Sequence, residues 1–402
     1  MCGRLTAPCA PCANLATSTS IIKTARARAP TTASHQELPI CQWHFNDVAH
    51  GRRFSTHVFC RETSKLLIVC CSEIPDPNWR WIADHFSEKD VRFQFVDCCP
   101  RNWVERQFKF LNLARLRGSF EAVLNAKRND AAILVSHGPT LAAWSGIFAR
   151  LVLLQSAIIA HSFNFVELPN SLKTRIFSIG LSRVDRFVVF SRIEVELYAQ
   201  QFHIPKSRFS FVHWGIRRPI TGSTSTHRLN RYVSAIGGNA RDYGTLIEAA
   251  RLLPDIPFVI VVRPSSLEGL IVPANVTVHV NLSLEATMNV LFESCFMVLP
   301  LNSSEVPCGH VTIVAAMHLG RTMIVTASAG IADYVKDGEN ALTVRVASAS
   351  DLVQAIARLW RDAPLRQSLE KRGFLFATTH CTEANIAQHF LQELSLVHSQ
   401  RH

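Results

Sequence analysis

Residues 295–326 read CFMVLPLNSSEVPCGHVTIVAAMHLGRTMIVT. The apolar run CFMVLP ends at a proline and a polar loop, so it reads as a short buried strand. The loop closes on Cys308-Gly309-His310, and the next residues read as a helix over 310–319. Gly320 punctuates the chain, and TMIVT (322–326) starts another strand. Strand, loop, helix and strand within about 30 residues is a βαβ unit, which requires parallel pairing.

The same alternation runs outward in both directions. Downstream of 231, strands are expected at 232–238, 257–263, 276–280, 295–300, 322–326 and 341–345. Helices are expected at 242–252, 285–293, 310–319, 329–335, 350–361, 363–374 and 383–396. Upstream, strands fit 65–72, 92–98, 131–137, 156–162, 186–191 and 208–215, with helices between them, notably around 102–117, 139–153 and 192–201. Between the two series, IRRPITGSTSTHR (216–228) is polar and holds Pro and Gly, so it reads as a linker. The expected fold class is α/β: two doubly wound, Rossmann-like domains facing across a cleft. The expected divisions are a tail over 1–55, an N-terminal domain over 56–216 and a linker over 217–230. A C-terminal domain over 231–380 follows, then a helix over 381–402 that packs back towards the first domain.

Composition narrows the class. With 48% hydrophobic and 18% charged residues the chain is globular. The net charge of +11 is uneven: residues 1–220 hold 28 basic and 16 acidic groups, residues 221–402 hold 14 and 15. An anionic partner therefore faces the first half. The 12 cysteines include two adjacent pairs and read as small buried hydrophobes in a reducing, cytoplasmic setting. Cys9 and Cys12 form a lone CxxC without partners, and no metal site is expected. The apolar stretch 141–160 contains Arg150 and Gln155 and reads as a buried helix followed by a strand.

Two local features point to anion binding. Gly237-Gly238 ends a strand, where glycine lets backbone approach a ligand. Gly309 leads into a helix, so the N–H groups of His310, Val311 and Thr312 lack intrahelical acceptors and suit a diphosphate. Thr312 adds a hydroxyl, and Ser304 and Cys308 border the same loop.

At this point the chain resembles the GT-B glycosyltransferases, most closely the family 4 type (glycosyl transferases group 1). The resemblance is carried by GGNARDYGTLIEAARLL, by CGHVTIVAAMHLGRTMIVTASAGIADYVKDGENALTV and by DLVQAIARLWRDAPLRQSLEKRG, over most of 232–375. In the first half it is carried more weakly by VSHGP, IIAHSFN and DRFVVFSRIEVELYAQQFHIPKSRFSFVHWGI. The resemblance implies transfer of a sugar from a nucleotide-diphospho-sugar, with retention of configuration, without an essential metal and with no cofactor. It implies that Arg241 contacts the donor diphosphate, with Arg263 either helping or forming a structural ion pair. It implies an active-site role for His161, with His137 and Glu73 on the acceptor side; a buried structural histidine is the alternative for His161 and for His137. The family's Gly-Gly turn at Glu73 is missing. The family also has two Glu residues with seven between them, one towards the sugar and one towards the ribose. Here Ala315 stands at the second and Pro307 at the first, which leaves Glu305 as the displaced candidate for the sugar-facing acid.

The expected acceptor is a glycan or a lipid-linked glycan, in polysaccharide or glycolipid synthesis. Residues 101–128 hold 7 basic and 2 acidic groups interleaved with Trp103, Phe108 and leucines. This stretch reads either as an amphipathic surface for an anionic membrane or as a solvated helix with one face in the core. A peripheral place at the inner face of the plasma membrane would follow from the first. No motif for nucleic acid accompanies the charge. The competing readings are a catalytically inactive GT-B protein that binds a membrane or partner, and a nucleotide-sugar epimerase.

Overall fold

The computed structural model describes residues 65–73, 79–108, 112–165, 167–219, 221, 231–238, 240–304 and 307–400. The expected tail over 1–55 and most of the linker lie outside these residues, as does Glu305.

The first sheet has six parallel strands: β1 (Leu66–Ser72), β2 (Val91–Asp97), β3 (Ile133–His137), β4 (Ala157–His161), β5 (Arg186–Val189) and β6 (Phe209–Phe211). They lie in the order β2-β1-β3-β4-β5-β6. The central strands are buried on both faces, which is why they read as unbroken apolar runs. The connecting helices are α1 (Trp103–Gln107), α2 (Leu113–Arg128), α3 (Pro139–Leu151), α4 (Ser171–Leu181) and α5 (Arg192–Phe202).

The second sheet also has six parallel strands: β7 (Val233–Ile236), β8 (Phe258–Val262), β9 (Val276–Val280), β10 (Phe296–Leu299), β11 (Met323–Thr326) and β12 (Leu342–Val344). Their order is β12-β11-β10-β7-β8-β9. Around it stand α6 (Tyr243–Arg251), α7 (Leu284–Glu293), α8 (His310–His318), α9 (Ala349–Arg361) and α10 (Ala363–His380). Helix starts are fixed locally: the carboxylate of Asp242 accepts the Thr245 N–H at 3.0 Å, and Ser283, Ser348 and Asp362 cap α7, α9 and α10.

The chain passes between the two units at two adjacent points. Ile216 N–H donates to Cys381 O at 3.1 Å, and a Cβ on Gly215 would sit 2.2 Å from Thr382 O. After Cys381 the last helix, α11 (Glu383–Ser399), lies on the first sheet. Its Ile386, Phe390, Leu391 and Leu394 share a core with Ile68, Trp79, Phe86 and Ile159. Arg186 of β5 holds Glu393 of α11 through two hydrogen bonds of 2.6 and 3.2 Å. Between the units, Tyr334 OH donates to Phe190 O at 2.7 Å and accepts the Trp214 N–H at 2.7 Å. Asp333 accepts the N–H of Arg192 at 2.8 Å and pairs with its guanidinium.

Three elements depart from expectation. The helix expected over 102–117 ends at Gln107 as α1, and a new helix, α2, starts after Asn112, whose φ of 54° is left-handed. The segment 329–335 forms only a 3-10 turn, Ala329–Ile331. Helix α4 fills the interval between β4 and β5, where a helix was expected without stated bounds. Helix α10 runs on to His380. The stretch 141–160 is the rest of α3 followed by β4, and among the described residues no helix is long and apolar enough to cross a membrane.

Candidate functional site

Each sheet has one point where the strand order reverses, and ligands of such sheets sit outside the strand ends there. In the second sheet that point lies between β7 and β10. The loops after these strands are laced together: Asp242 N–H donates to Pro300 O at 3.0 Å, and Asn302 N–H to Ala240 O at 3.2 Å. Arg241 and Leu301 form an antiparallel bridge.

This lacing places Arg241 over the start of α8. Its Nη2 lies 3.2 Å from Thr312 Oγ1 and its Nη1 3.8 Å from Cys308 Sγ. Gly237 has φ of 110°, and a Cβ there would stand 2.9 Å from Arg241 Nη2. A Cβ on Gly238 would stand 2.7 Å from Arg263 Cδ. The glycine pair is thus the floor along which two arginines lie, and a side chain there would push them away. Tyr243 OH donates to Gly237 O and holds the turn.

Gly309 takes φ of 102° and ψ of −10°, the left-handed geometry that turns the chain into α8. The first intrahelical bond runs from Ile313 N–H to Gly309 O at 2.9 Å. The N–H groups of His310, Val311 and Thr312 therefore precede the ladder and carry the positive end of the helix dipole. Arg241 adds a full charge at the same point. The imidazole of His310 takes no part: it is buried, its Nε2 donates to Gly330 O at 2.7 Å, and its ring lies 4.8 Å from that of Tyr334. Burial pushes its pKa down, so it stays neutral. Only its backbone N–H is available. Val311 is partly exposed beside it.

The acidic positions are altered as the sequence suggests. Ala315 is only 4% exposed and belongs to the core around Met297, Leu299 and Ile331. Pro307 is packed against Gly330, where a Cβ would come within 2.2 Å of Pro307 Cα. Ser304 contributes its carbonyl, which accepts the Ala329 N–H at 2.8 Å.

In the first sheet the reversal lies between β1 and β3. His137 ends β3 and His161 ends the neighbouring β4. Both rings reach Ser162, whose Oγ is 2.9 Å from His137 Nε2 and 3.1 Å from His161 Nδ1. Sequence reasoning did not single out Ser162, nor Trp79, whose ring lies 5.1 Å from His137 and 5.3 Å from His161. Phe190 and Phe390 close the other sides of His161.

His161 is therefore 1% exposed, and its Nε2 has no hydrogen-bond partner among the described residues. An aromatic lid of Trp79, Phe190 and Phe390, the last supplied by α11, covers the ring. Burial holds its pKa well below the usual range, with His137 and His389 adding repulsion. Burial likewise brings His137 down to about 3. Both rings are neutral at ordinary pH.

Glu73 is also engaged. Arg115 binds it through Nε and, at 2.9 Å, through Nη2, and Cys99 Sγ donates to its carbonyl at 2.9 Å. The carboxylate is a structural partner of α2 in this arrangement.

Residues 232–362 match the family model described as Glycosyl transferases group 1. No curated protein sequence matches the chain. Among solved structures, sucrose-phosphate synthase from Thermosynechococcus elongatus is similar with a TM-score of 0.66 at 16% identity, covering 84% of this chain and 100% of that one. A glycosyltransferase from Rickettsia africae is similar with a TM-score of 0.63 at 12% identity, over 83% and 99%. Anabaena HepE in complex with UDP has a TM-score of 0.63 at 13% identity, over 83% and 100%. At such identities the likeness is one of fold, and it spans both sheets. Residues 232–362 are thus a glycosyl transferases group 1 domain, carried in a chain with the GT-B fold.

Proposed function

We propose that the protein is a glycosyltransferase. Its C-terminal half would take a nucleotide-diphospho-sugar, and its N-terminal half would hold a glycan or lipid-linked acceptor, in polysaccharide or glycolipid synthesis at a cytoplasmic membrane face. The reading is supported most by one observation: Arg241 stands 3.2 Å from Thr312 at the open start of α8. A diphosphate seated there meets the guanidinium, the Thr312 hydroxyl and three backbone N–H groups. These groups are fixed before the sugar bond breaks, so they stabilise the charge that grows on the departing diphosphate. They need no resident cofactor for that task. Transfer of a hexose with retention is the stereochemical outcome the family resemblance favours. HepE is described in complex with UDP and glucose, which makes a uridine diphosphate sugar the first donor to try.

The test is release of nucleoside diphosphate and labelled product from a panel of nucleotide sugars and acceptors. Turnover with any donor supports the reading; the absence of both transfer and nucleotide binding defeats it.

One observation favours a second reading. The position of the family's ribose acid is an alanine sealed in the core. A protein that binds the nucleotide and transfers nothing, acting as a binding module, would fit that change. Nucleotide binding in calorimetry without product from any donor, and with Glu305→Ala silent, would select it. An isomerised donor in the absence of acceptor would instead select an epimerase.

A further inference from the structure

Helix α4 is apolar on two sides. Phe177, Gly180 and Leu181 face inward. Contact with α3 is backbone to backbone, since a Cβ on Gly146 would sit 2.0 Å from Gly180 O and one on Gly180 would sit 1.9 Å from Ala143 O. That side of the helix is filled. Leu172, Ile176 and Ile179 nevertheless stand on the outside, with Leu172 69% and Ile179 60% exposed. At 100° per residue these three fall within an arc of about 60°. Leu168, just before α4, is exposed as well, and so are Leu151 and Leu153 at the end of α3, next to Arg150, which is bonded to the last turn of α4. A helix with apolar residues all round is expected in a core or against lipid, and here one side meets solvent.

The rim of the stripe is basic. Lys173 and Arg175 flank it on α4, Lys127 and Arg128 end α2 beside it, and Arg150 ties α3 to α4 through Ile179 O at 3.2 Å and Ser182 Oγ at 2.8 Å. None of Lys127, Arg128, Lys173 and Arg175 forms an ion pair with an acid among the described residues. The acids nearby are Glu167 next to Leu168, Asp130 after α2, and Asp185, which pairs with Arg183. The stretch 101–128 is different. Its Arg101, Arg115 and Arg117 are neutralised by Glu121, Glu73 and Glu105.

We propose that the outer face of α4, with the end of α3, is a docking surface for an anionic phospholipid bilayer. Leucine and isoleucine side chains enter the headgroup boundary while the lysines and arginines meet lipid phosphates. A second copy of the chain is a poor occupant. A two-fold interface would set this basic rim against its own image. Leu168 lies in the segment that leads from His161 into α4, so the bilayer meets the protein next to the strand ends of the first sheet. The inference goes beyond the transfer reading and does not depend on it, because lipid binding and nucleotide binding are measured separately.

The test is flotation of the full chain with vesicles of phosphatidylcholine alone or with phosphatidylglycerol, at low and high salt. The expected result is binding to the anionic vesicles, at least tenfold weaker on the neutral ones and weakened by salt. The double variant Leu172→Ser, Ile179→Ser should lose at least tenfold in vesicle affinity. Its melting temperature and its nucleoside diphosphate binding should be kept, since both side chains are in solvent. Lys173→Ala with Arg175→Ala should weaken binding to anionic vesicles alone. The proposal is overturned if the wild-type chain does not float, or if the Leu172, Ile179 variant floats equally well. It is also overturned if Trp103→Ser abolishes binding while that variant does not. A wild-type dimer in sedimentation that the variant dissolves would show a second copy on this face and overturn it too.

Discussion

The two reversal points of the two sheets have the same topology and opposite character. After β7 and β10 the chain supplies glycines, Arg241 and a bare helix start, and Arg263 joins them from the end of the neighbouring β8, so the point is polar, cationic and rich in backbone donors. After β3 and the neighbouring β4 it supplies two neutral histidines and a serine under Trp79 and Phe390. A parallel sheet provides the crevice in both cases. Residue choice then decides whether the crevice attracts an anion or is sealed by aromatic rings. The comparison can be broken at its charged side, at the joint between the units, or inside the neutral side.

The largest effect is expected at the charged side. Arg241→Ala removes a charge-assisted contact worth roughly 2–3 kcal/mol, about a hundredfold in nucleoside diphosphate affinity by calorimetry. Arg241→Lys should recover only part, because an ammonium is a point charge without the planar fork that meets a phosphate bidentately. Unchanged affinity in Arg241→Ala would mean that the second reversal point is no anion seat, and the contrast between the two would fall.

Much of this was legible beforehand, for physical reasons. Fully buried parallel strands such as β10 are continuous apolar runs between punctuation, so every strand was placed within a few residues of its observed range. Gly237, Gly238 and Gly309 were readable because only a small set of backbone roles needs glycine at a strand end or a helix start. Other features were hidden. The end of α1 at Gln107 falls inside an apolar pattern that continues into α2, so periodicity alone did not mark it. The bounds of helix α4 were harder to read, because Leu172, Ile176 and Ile179 blur the one-sided pattern that marks a globular helix. The sealing of His161 depends on Phe390, contributed from the far end of the chain by α11, and local sequence carries no trace of it. The pairing of Glu73 with Arg115 is likewise a tertiary event.

An intermediate effect is expected at the joint. Tyr334 OH bridges Phe190 O and Trp214 N–H, both at 2.7 Å, and the side chain is buried. Tyr334→Phe keeps the ring and leaves a carbonyl and an N–H in the interface without that partner. The cost is about 2 kcal/mol, read as a melting temperature lower by several degrees. Nucleoside diphosphate affinity should stay within about twofold, which is well under 1 kcal/mol, because the Arg241 seat lies wholly within the second unit. A large loss of nucleotide affinity in Tyr334→Phe would show that the seat depends on how the two units sit together, and would sharpen the comparison into a coupled one.

The smallest effect lies inside the first unit, at Glu194. It is fully buried, and its carboxylate accepts from Asn164, from Tyr198 OH at 2.9 Å and from Phe190 N–H at 3.0 Å. Burial outweighs these bonds and raises its pKa to about 7. In the unfolded chain the group titrates near the ordinary glutamate value, about 4.3. A raised acid binds its proton more tightly in the folded state, so its contribution to stability falls as pH rises from the unfolded value through 7 and levels off above it. Between pH 6 and pH 8 that fall amounts to about 1 kcal/mol. Glu194→Gln removes the titration and also changes one hydrogen bond, so absolute stability is a poor readout. The slope of melting temperature against pH is the discriminating one. The wild-type chain should lose stability over this range relative to Glu194→Gln, and equal slopes would mean that the buried carboxylate is already ionised at pH 6. That outcome would make the first unit less neutral inside than its histidines suggest, and would narrow the electrostatic difference between the two halves.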